Sequence, residues 1–442
     1  MIRVVLPLAA LLAGVALLLM GSGLLGTLLA VRGGLEGFDE RTLGLVMSGY
    51  FAGFLAGTFL APPLIRRIGH VRAFAFCTGL AAIAVLLHPV WVDPVAWFAL
   101  RVVTGVALVT LYTVIESWLN AQPEPAMRGR IFAIYMAVNL GALALGQLLL
   151  GLGVDGGFML FSLVAILVCA SALPVTLTRL AQPTFPPNAR LGLRRLYAVA
   201  PAATLSAGLS GLAMGAFWGL GPVYAGQVGL DRSGVSHFMV ATILGGALLQ
   251  WPLGRLSDRL DRRIGLALAC AAAAAVALVA LPGAAWGAGW IYALFFAFGG
   301  LAFSIYPMSV AHMLDTLPGE DLLSGCSSLL LVHGIGAMLG PTIAGELMSR
   351  HGPGALPAYF AAVLASLALF LLARLAVNRR PDHHPAPFHP MLRTTPAALE
   401  GISIDALSLS TVMSDCSALT VSPGFTSNSI TATSSKSPMS GT

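Results

Sequence analysis

Long apolar segments separated by short polar loops make up the first 380 residues of the chain. Each segment holds about 20 mostly apolar residues, enough for a helix to cross a hydrocarbon core of roughly 30 Å. Backbone amides in lipid must bond within their own segment, and the strands of a barrel would be about half as long. The pattern therefore predicts an all-α membrane protein with twelve transmembrane helices. The predicted spans are 4–30, 42–65, 72–92, 95–118, 130–152, 158–178, 198–225, 234–256, 264–283, 288–313, 322–349 and 355–377.

The composition also indicates a membrane protein. Hydrophobic residues make up 57% of the chain and charged residues 10%, with a mean hydropathy of +0.87, whereas soluble domains are nearer half apolar and a quarter charged. The first apolar segment is about twice the length of the hydrophobic region of a secretory signal, so we expect it to be retained as a span. The five cysteines have neither metal-ligand nor disulfide spacing, and we predict no metal site and no cofactor.

The arginines fall mainly in every second loop. A net charge of +6 would suggest nucleic-acid binding in a soluble protein, but this distribution by loop argues against it. Arginine enrichment in alternate loops marks the cytoplasmic side of a membrane protein. We therefore expect a bacterial-type inner membrane location with both termini in the cytoplasm. The arginine-rich loops carry Arg66, Arg67, Arg72, Arg128, Arg130, Arg179, Arg190, Arg194, Arg195, Arg255, Arg259, Arg262, Arg263, Arg379 and Arg380.

The longest internal loop is rich in proline and arginine and divides the spans into six and six. We predict an N-terminal six-helix bundle at 1–178, a cytoplasmic linker at 179–197 and a C-terminal six-helix bundle at 198–380. Residues 381–442 are rich in Pro and His and then in Ser and Thr. This composition cannot bury a core and predicts a disordered cytoplasmic tail.

The two halves of the chain echo each other at an offset of 194 residues. Parallel repeats of this kind are typical of secondary transporters, which place the solute site between the halves near the middle of the membrane. The offset relates Gly105 to Gly299, Tyr112 to Tyr306, Asn139 to His333, Gly146 to Gly340 and Gly151 to Gly345.

Polar side chains concentrate in spans 4, 5, 7, 8, 10 and 11, whereas spans 3, 6, 9 and 12 are almost free of them. Polar groups are costly in lipid, so these residues should face the protein interior or a water-filled cavity. Two interpretations stay open for each residue, as a solute ligand or as a hydrogen bond between helices. The candidates for the cavity are Arg101, Tyr112, Asn139, Gln147, Trp218, Gln250, Tyr306 and His333.

The loop after span 8 concentrates charge, with four arginines and two aspartates in residues 254–263. It resembles the loop signature G-x-x-x-D-R-x-G-R-R of the major facilitator superfamily, which follows spans 2 and 8, although Asp261 replaces the second glycine. The matching residues are Gly254, Asp258, Arg259, Arg262 and Arg263.

Other motifs point to the same superfamily. The loop after span 2 keeps Gly69 but has Pro62 and Arg66 in place of the leading glycine and the aspartate of the signature. The motif Arg101-x-x-x-Gly105 is similar to the arginine motif of span 4, and residues 336–345 resemble the glycine-proline motif of span 11. The segments 116–120, 128–130 and 146–147 resemble the uncharacterised YcaD-like branch.

The resemblance covers residues 1 to about 380. It implies the major facilitator fold, in which two six-helix bundles rock about a central site, and secondary transport as the activity. It implies no particular substrate, because one scaffold carries many solute classes. The residues assigned to a cytoplasmic gate are Gly254, Asp258, Arg259, Arg262, Arg66, Arg67, Gly69, Glu116, Arg128 and Arg130.

Individual charges keep alternative roles. Arg101, about two turns inside span 4, either binds an anionic solute or extends its guanidinium outward to the lipid headgroups. Glu116, near the inner end of span 4, is either half of a cytoplasmic ion pair with Arg128 or Arg130, or a proton carrier. We expect His312 and Asp315, at the inner end of span 10, to be interfacial.

The sequence thus predicts a secondary transporter of a small organic solute, acting as a monomer in a lipid bilayer. Span 1 contains no acidic residue, so the candidates for proton coupling are Glu116, Glu346 and the histidines, and facilitated diffusion remains an alternative. The rival functions are multidrug efflux and, in other classes, a non-transporting sensor or a membrane enzyme. Because no catalytic motif lies within the spans, we expect that the protein is not an enzyme.

Overall fold

The computed structural model describes residues 2–120, 125–153, 158–177, 191–259, 261–282, 285, 287–317 and 321–377, with the side chains of 2–8, 120, 125–130 and 323 left out. Across these residues the chain forms fourteen α-helices and one 3₁₀ turn, Leu149–Leu152, without a strand. The helices are α1 Ile2–Leu35, α2 Glu40–Ile68, α3 His70–Leu87, α4 Pro94–Asn120, α5 Pro125–Leu148, α6 Met159–Ala170, α7 Ala172–Leu177, α8 Leu193–Val199, α9 Pro201–Gln227, α10 Arg232–Arg259, α11 Arg262–Val279, α12 Ala288–Thr316, α13 Leu322–His351 and α14 Ala355–Val377.

Twelve spans are long and apolar enough to cross a membrane within the described residues, which confirms the predicted number. Helices α6 and α7 together form span 6, and α9 to α14 form spans 7 to 12. The helix ends differ from the predicted ends by up to five residues, and α1 continues five residues past the predicted end at residue 30. An ion pair between Arg32 and Glu36, one turn apart, stabilises this extension.

Capping residues set the ends of α2. The Asp39 Oδ1 accepts a hydrogen bond from the backbone N–H of Thr42 at 3.0 Å and caps the first turn. Hydrogen bonds from the hydroxyl and amide of Thr42 hold the pKa of Asp39 below its ordinary value. At the other end, Gly69 adopts a φ of +84°, which reverses the chain into α3 and favours glycine over other residues.

The two groups of six spans have the same internal packing. Helix α2 packs on α4 as α10 packs on α12, and α1 packs on α5 as α9 packs on α13. The repeated glycines lie at these contacts: a methyl group on Gly105 would collide with the Tyr50 carbonyl, and one on Gly299 would collide with the Thr242 carbonyl. The 194-residue echo therefore corresponds to equivalent close approaches between helices in each half.

The main contacts between the halves join α2 to α13, α5 to α10, and α1 and α2 to α9. Helices α3, α6, α11 and α14 pack mainly within their own half and expose large apolar side chains such as Phe76, Ile166 and Leu369. This agrees with the low polarity of spans 3, 6, 9 and 12, because a lipid-facing helix needs no polar groups.

The connection between the halves is described only in part. Residues 179–190 of the predicted linker and the whole predicted tail, 381–442, lie outside the described residues. The end of the linker is anchored to α13, because Ser328 Oγ donates to the Leu191 carbonyl at 2.7 Å and Arg195 pairs with Asp321 at 2.7 Å. The domain boundaries stay predictions.

Candidate functional site

A pocket of about 700 Å³, including its opening to solvent, lies between the two halves. Helices α1, α2, α4 and α5 supply its N-terminal wall, and α9 and α10 supply its C-terminal wall. Its position between the repeats is where secondary transporters bind their solutes. Its lining includes Gly26, Tyr50, Arg101, Asn139, Trp218 and Met239.

Arg101 lines this pocket from α4, two turns inside the helix, and only 6% of it is exposed. A side chain on Gly49 would collide with the Phe98 carbonyl and press against the Arg101 Cβ, so the glycine allows α2 and α4 to approach. This approach places the guanidinium carbon 4.7 Å from the ring centroid of Tyr50. A cation over an aromatic face is stabilised by the ring quadrupole.

Tyr112 and Asn139 line the other end of the pocket. Tyr112 lies eleven residues after Arg101 on α4, which corresponds to about 16 Å along the helix axis. Its ring packs against Phe54 with centroids 6.2 Å apart, and Asn139 is buried on α5. The pocket therefore extends from a cationic end at Arg101 to a neutral polar end.

Gln147 lines the pocket but also joins helices. Its Oε1 accepts a hydrogen bond from Thr27 Oγ1 at 2.5 Å, and its Nε2 donates to the Gly23 carbonyl at 2.8 Å, so the amide links α5 to α1. Its carbonyl accepts a hydrogen bond from Ser236 Oγ at 2.6 Å, which links α5 to α10. For Gln147 the geometry favours the structural interpretation that the sequence left open.

The C-terminal wall of the pocket is apolar and aromatic. Trp218 lies in a ring cluster, with centroids 5.4 Å from Phe217 and 5.8 Å from Phe303. Met239 of α10 completes this side. The wall offers contact area to a solute rather than charge.

Three of the eight cavity candidates, Gln250, Tyr306 and His333, do not line this pocket. Gln250 Nε2 donates to the Phe303 carbonyl at 3.3 Å and joins α10 to α12. The His333 ring lies 4.5 Å from the Tyr306 ring, and its Nδ1 lies 3.1 Å from the Ala207 carbonyl, so it joins α13 to α9. His333 instead lines a second, apolar crevice of about 560 Å³ between α2 and α13.

Nine lining residues were not among the sequence candidates: Ser22, Gly23, Gly26, Thr27, Tyr50, Phe51, Leu143, Gly219 and Met239. A hydroxyl-bearing aromatic residue in the middle of an apolar span was a usable signal for Tyr50. Phe51 and Met239 gave none, because apolar residues in a span are equally expected to face lipid. That the lining residues bind a solute stays a prediction.

The charged loop after span 8 forms a buried ion cluster inside the C-terminal half. Arg262 lies at the start of α11, where its Nε is 2.6 Å from Asp315 Oδ2 of α12 and its guanidinium is 3.0 Å from Asp258 Oδ1 of α10. The side chains of Asp315 and His312 are both buried within the protein. Asp315 is held there by its ion pair with Arg262. Their expected position at the membrane interface stays a prediction.

The other assigned gate residues occupy different surroundings. Arg66 and Arg67 form the exposed last turn of α2 before Gly69, Arg259 is exposed, and Gly254 is buried in α10. The side chains of Arg128 and Arg130 lie outside the described residues. Their gate roles stay predictions.

Glu116 is almost completely buried, with 1% of its surface exposed. Its Oε1 accepts a hydrogen bond from the Tyr135 hydroxyl at 3.2 Å, from the neighbouring helix α5. It lies one turn beyond Tyr112 on α4, so this carboxyl adjoins the neutral end of the pocket. Its predicted pairing with Arg128 or Arg130 cannot be placed among the described side chains.

Contacts between the halves cluster at the end of the bundle that carries residues 36–39, here called the predicted outer end. A methyl group on Gly44 of α2 would collide with the Pro341 carbonyl of α13. Arg41 Nε lies 3.0 Å from Glu346 Oε2, and the Arg232 guanidinium donates to the Gly153 carbonyl at 2.5 Å. The pocket is therefore covered at the predicted outer end, whereas the crevice separates α2 from α13 toward the other end.

Comparison with known proteins gives a consistent assignment. The profile of the Major Facilitator Superfamily matches residues 3–200 and 203–432. An uncharacterised MFS-type transporter of Enterobacter sp. strain 638 is 29% identical over 402 residues, covering 86% of this chain and 97% of that protein. The uncharacterised MFS-type transporter YcaD of Escherichia fergusonii is 27% identical over 381 residues, covering 86% of this chain and 97% of YcaD. The crystal structure of the nucleoside transporter NupG superposes with a TM-score of 0.65 at 16% identity, covering 83% of this chain and 98% of NupG, and it supports the fold alone.

Proposed function

Because the chain belongs to the major facilitator superfamily and is a multi-pass membrane transporter, we propose that it moves a small organic solute by alternating access as a secondary transporter. The observation that carries this proposal is the pocket between the halves, which both repeats line and contacts at the predicted outer end cover. A solute in this pocket would exchange sides when the halves rock about it.

The contacts at the predicted outer end are suited to repeated opening. The Arg41–Glu346 pair is solvent-exposed, and such pairs contribute about 0–1 kcal/mol each. Glycine and proline at the α2–α13 contact let the helices meet without interlocking side chains. A weak closure can separate in each transport cycle without a large energetic cost.

Efflux of cationic drugs is a less well supported alternative. Such drugs would favour an acidic pocket, but the described lining residues include no carboxylate.

For the energy source we prefer proton coupling, with the buried Glu116 as the proton carrier. Facilitated diffusion is the alternative, and flux that does not depend on a pH gradient would favour it.

Cross-linking across the predicted outer end tests alternating access. Arg41→Cys and Glu346→Cys would be combined in a variant without native cysteines and joined by a short bifunctional thiol reagent. Proteoliposomes loaded with a low-molecular-weight cell extract would then be compared by mass spectrometry for the solutes that they lose. We expect the cross-linked protein to lose transport, because the pocket cannot open at that end.

The matched control joins Glu346→Cys to Arg350→Cys, one turn apart on α13. This cross-link leaves the halves free to move, and transport should persist. Equal transport by both cross-linked proteins would contradict alternating access through this end. If proteoliposomes with the unmodified protein lose no solute, with or without a pH gradient, the result would contradict transport itself.

A further inference from the structure

The pocket has a distinct electrostatic character. Among the described residues that line it, Arg101 is the one charged side chain, and no carboxylate lines the same surface. The guanidinium keeps its charge under physiological conditions. Any solute that fills the pocket must therefore accommodate a fixed positive charge at one end.

A fixed cation in a buried pocket favours an anionic ligand. Only 6% of Arg101 is exposed, and a charge in such surroundings attracts an opposite charge more strongly than it does in water. Tyr50 covers one face of the guanidinium. The planar fork of N–H groups matches the two oxygens of a carboxylate.

The rest of the pocket wall determines which kind of solute body fits. Phe51, Trp218 and Met239 present apolar and aromatic surface between the cationic end and the neutral end at Asn139. A methyl group on Gly26 would meet no atom within 4 Å, so this part of the α1 wall is open space. The space suits an apolar or aromatic body, and a single cation balances a single negative charge.

We propose that the transported solute is an organic monoanion, with its carboxylate on Arg101 and its apolar body against Trp218. This inference rests on the proposed transport function and names its substrate class. Tyr112, about 16 Å along α4 from Arg101, and Asn139 on α5 are then available to a neutral polar group at the far end of the solute.

Three probes that share one body and differ in charge test the proposal: 4-phenylbutyrate, 4-phenylbutyramide and 4-phenylbutylamine. Binding to the purified full-length protein would be measured by thermal stabilisation at millimolar concentration, since a ligand of the native state raises stability by mass action. We expect stabilisation by the carboxylate alone. Arg101→Gln should weaken binding about tenfold or more, because a hydrogen bond to a charged group is lost, and Arg101→Lys should retain part of it.

Two glycine variants test whether the probe binds in the pocket. Gly26→Leu should abolish binding by filling the open space, whereas Gly141→Leu, also at a position with no neighbouring atom within 4 Å, should leave it unchanged because Gly141 lies on an exposed face of α5. Unchanged thermal stability of the ligand-free variants would show that they fold.

Several results would overturn the proposal. They are equal or stronger stabilisation by the amide or amine, unchanged affinity of Arg101→Gln, equal stabilisation by inorganic sulfate, or no stabilisation by the carboxylate. If the amine binds the unmodified protein but not Gly26→Leu, the solute is not an anion, although the pocket is still a solute site. Absence of solute exchange in proteoliposomes would instead reject the transport function.

Discussion

Replacing Asp315 by asparagine should destabilise the protein far more than the same change at Asp258, although both carboxylates pair with Arg262. Asp315 and Arg262 are buried together, with side chains 2% and 3% exposed and a 2.6 Å contact. Asp258 is 30% exposed and lies 3.0 Å from the same guanidinium. Asparagine preserves the size of the side chain in each case, so the comparison isolates the charge.

The burial of each pair sets the expected magnitude. Removal of one partner of a buried ion pair costs about 3–5 kcal/mol, because the remaining charge stays desolvated. Asp258 is partly exposed, and after its removal Arg262 keeps Asp315 as a partner, so we expect a cost close to the value of about 0–1 kcal/mol for a surface pair. We therefore expect Asp315→Asn to lower the free energy of unfolding by about 3–5 kcal/mol and Asp258→Asn by about 1 kcal/mol.

Unfolding of the purified full-length variants in mixed detergent and denaturing micelles would measure both free energies, and the double variant would complete the cycle. The two changes should be non-additive, because both act on Arg262. If Asp258→Asn lowers the free energy of unfolding as much as Asp315→Asn, burial does not set the cost of losing each carboxylate. The same conclusion follows if Asp315→Asn costs less than about 1 kcal/mol, the range of an exposed pair.

Two further predictions concern single carboxylates. Glu116→Gln should remove the dependence of flux on a pH gradient but preserve solute exchange, because it removes the proposed proton carrier; loss of exchange as well would favour the ion-pair gate. Asp39→Ala should lower the free energy of unfolding by about 1 kcal/mol at neutral pH through loss of the helix cap, whereas Asp39→Asn should retain most of the cap. Because the pKa of Asp39 is lowered in the folded protein, the stability from its ionised form is present above the ordinary aspartate pKa of 3.8 and is lost as the pH falls through the lowered pKa. Thermal unfolding across this pH range should therefore show a smaller effect of Asp39→Ala in acid, and a constant effect would contradict the assignment.

The membrane fold could be read from the sequence because lipid imposes a simple requirement on each span. A helix must be long and apolar, so hydropathy alone located the twelve spans without knowledge of their neighbours. The 194-residue echo also had a physical basis, since Gly105 and Gly299 permit equivalent close contacts in the two halves. Both signals are local or periodic, and they survive in a single sequence.

The site could be predicted only in part, because its details depend on partners far apart in the chain. Gln147 was correctly expected inside the protein, but its bonds to Thr27 and to the Gly23 carbonyl depend on how α1 meets α5. Tyr50 was missed because its significance comes from its position against Arg101. The pairing of Asp315 was missed because its partner, Arg262, lies far earlier in the chain.

The distribution of ion pairs separates contacts that must open from contacts that must persist. The Arg41–Glu346 pair joins the two halves and is exposed, whereas the Arg262–Asp315 pair joins α11 to α12 within one half and is buried. A transporter that rocks its halves breaks contacts between the halves in each cycle and keeps contacts within each half. The exposed pair between the halves costs little to break, whereas the buried pair within one half costs more. Asp315 then holds Arg262 in place, and the partly exposed Asp258 is the acid of this cluster that can exchange partners at low cost. We therefore expect Asp258→Asn to alter the rate of transport while leaving the stability of the C-terminal half largely unchanged.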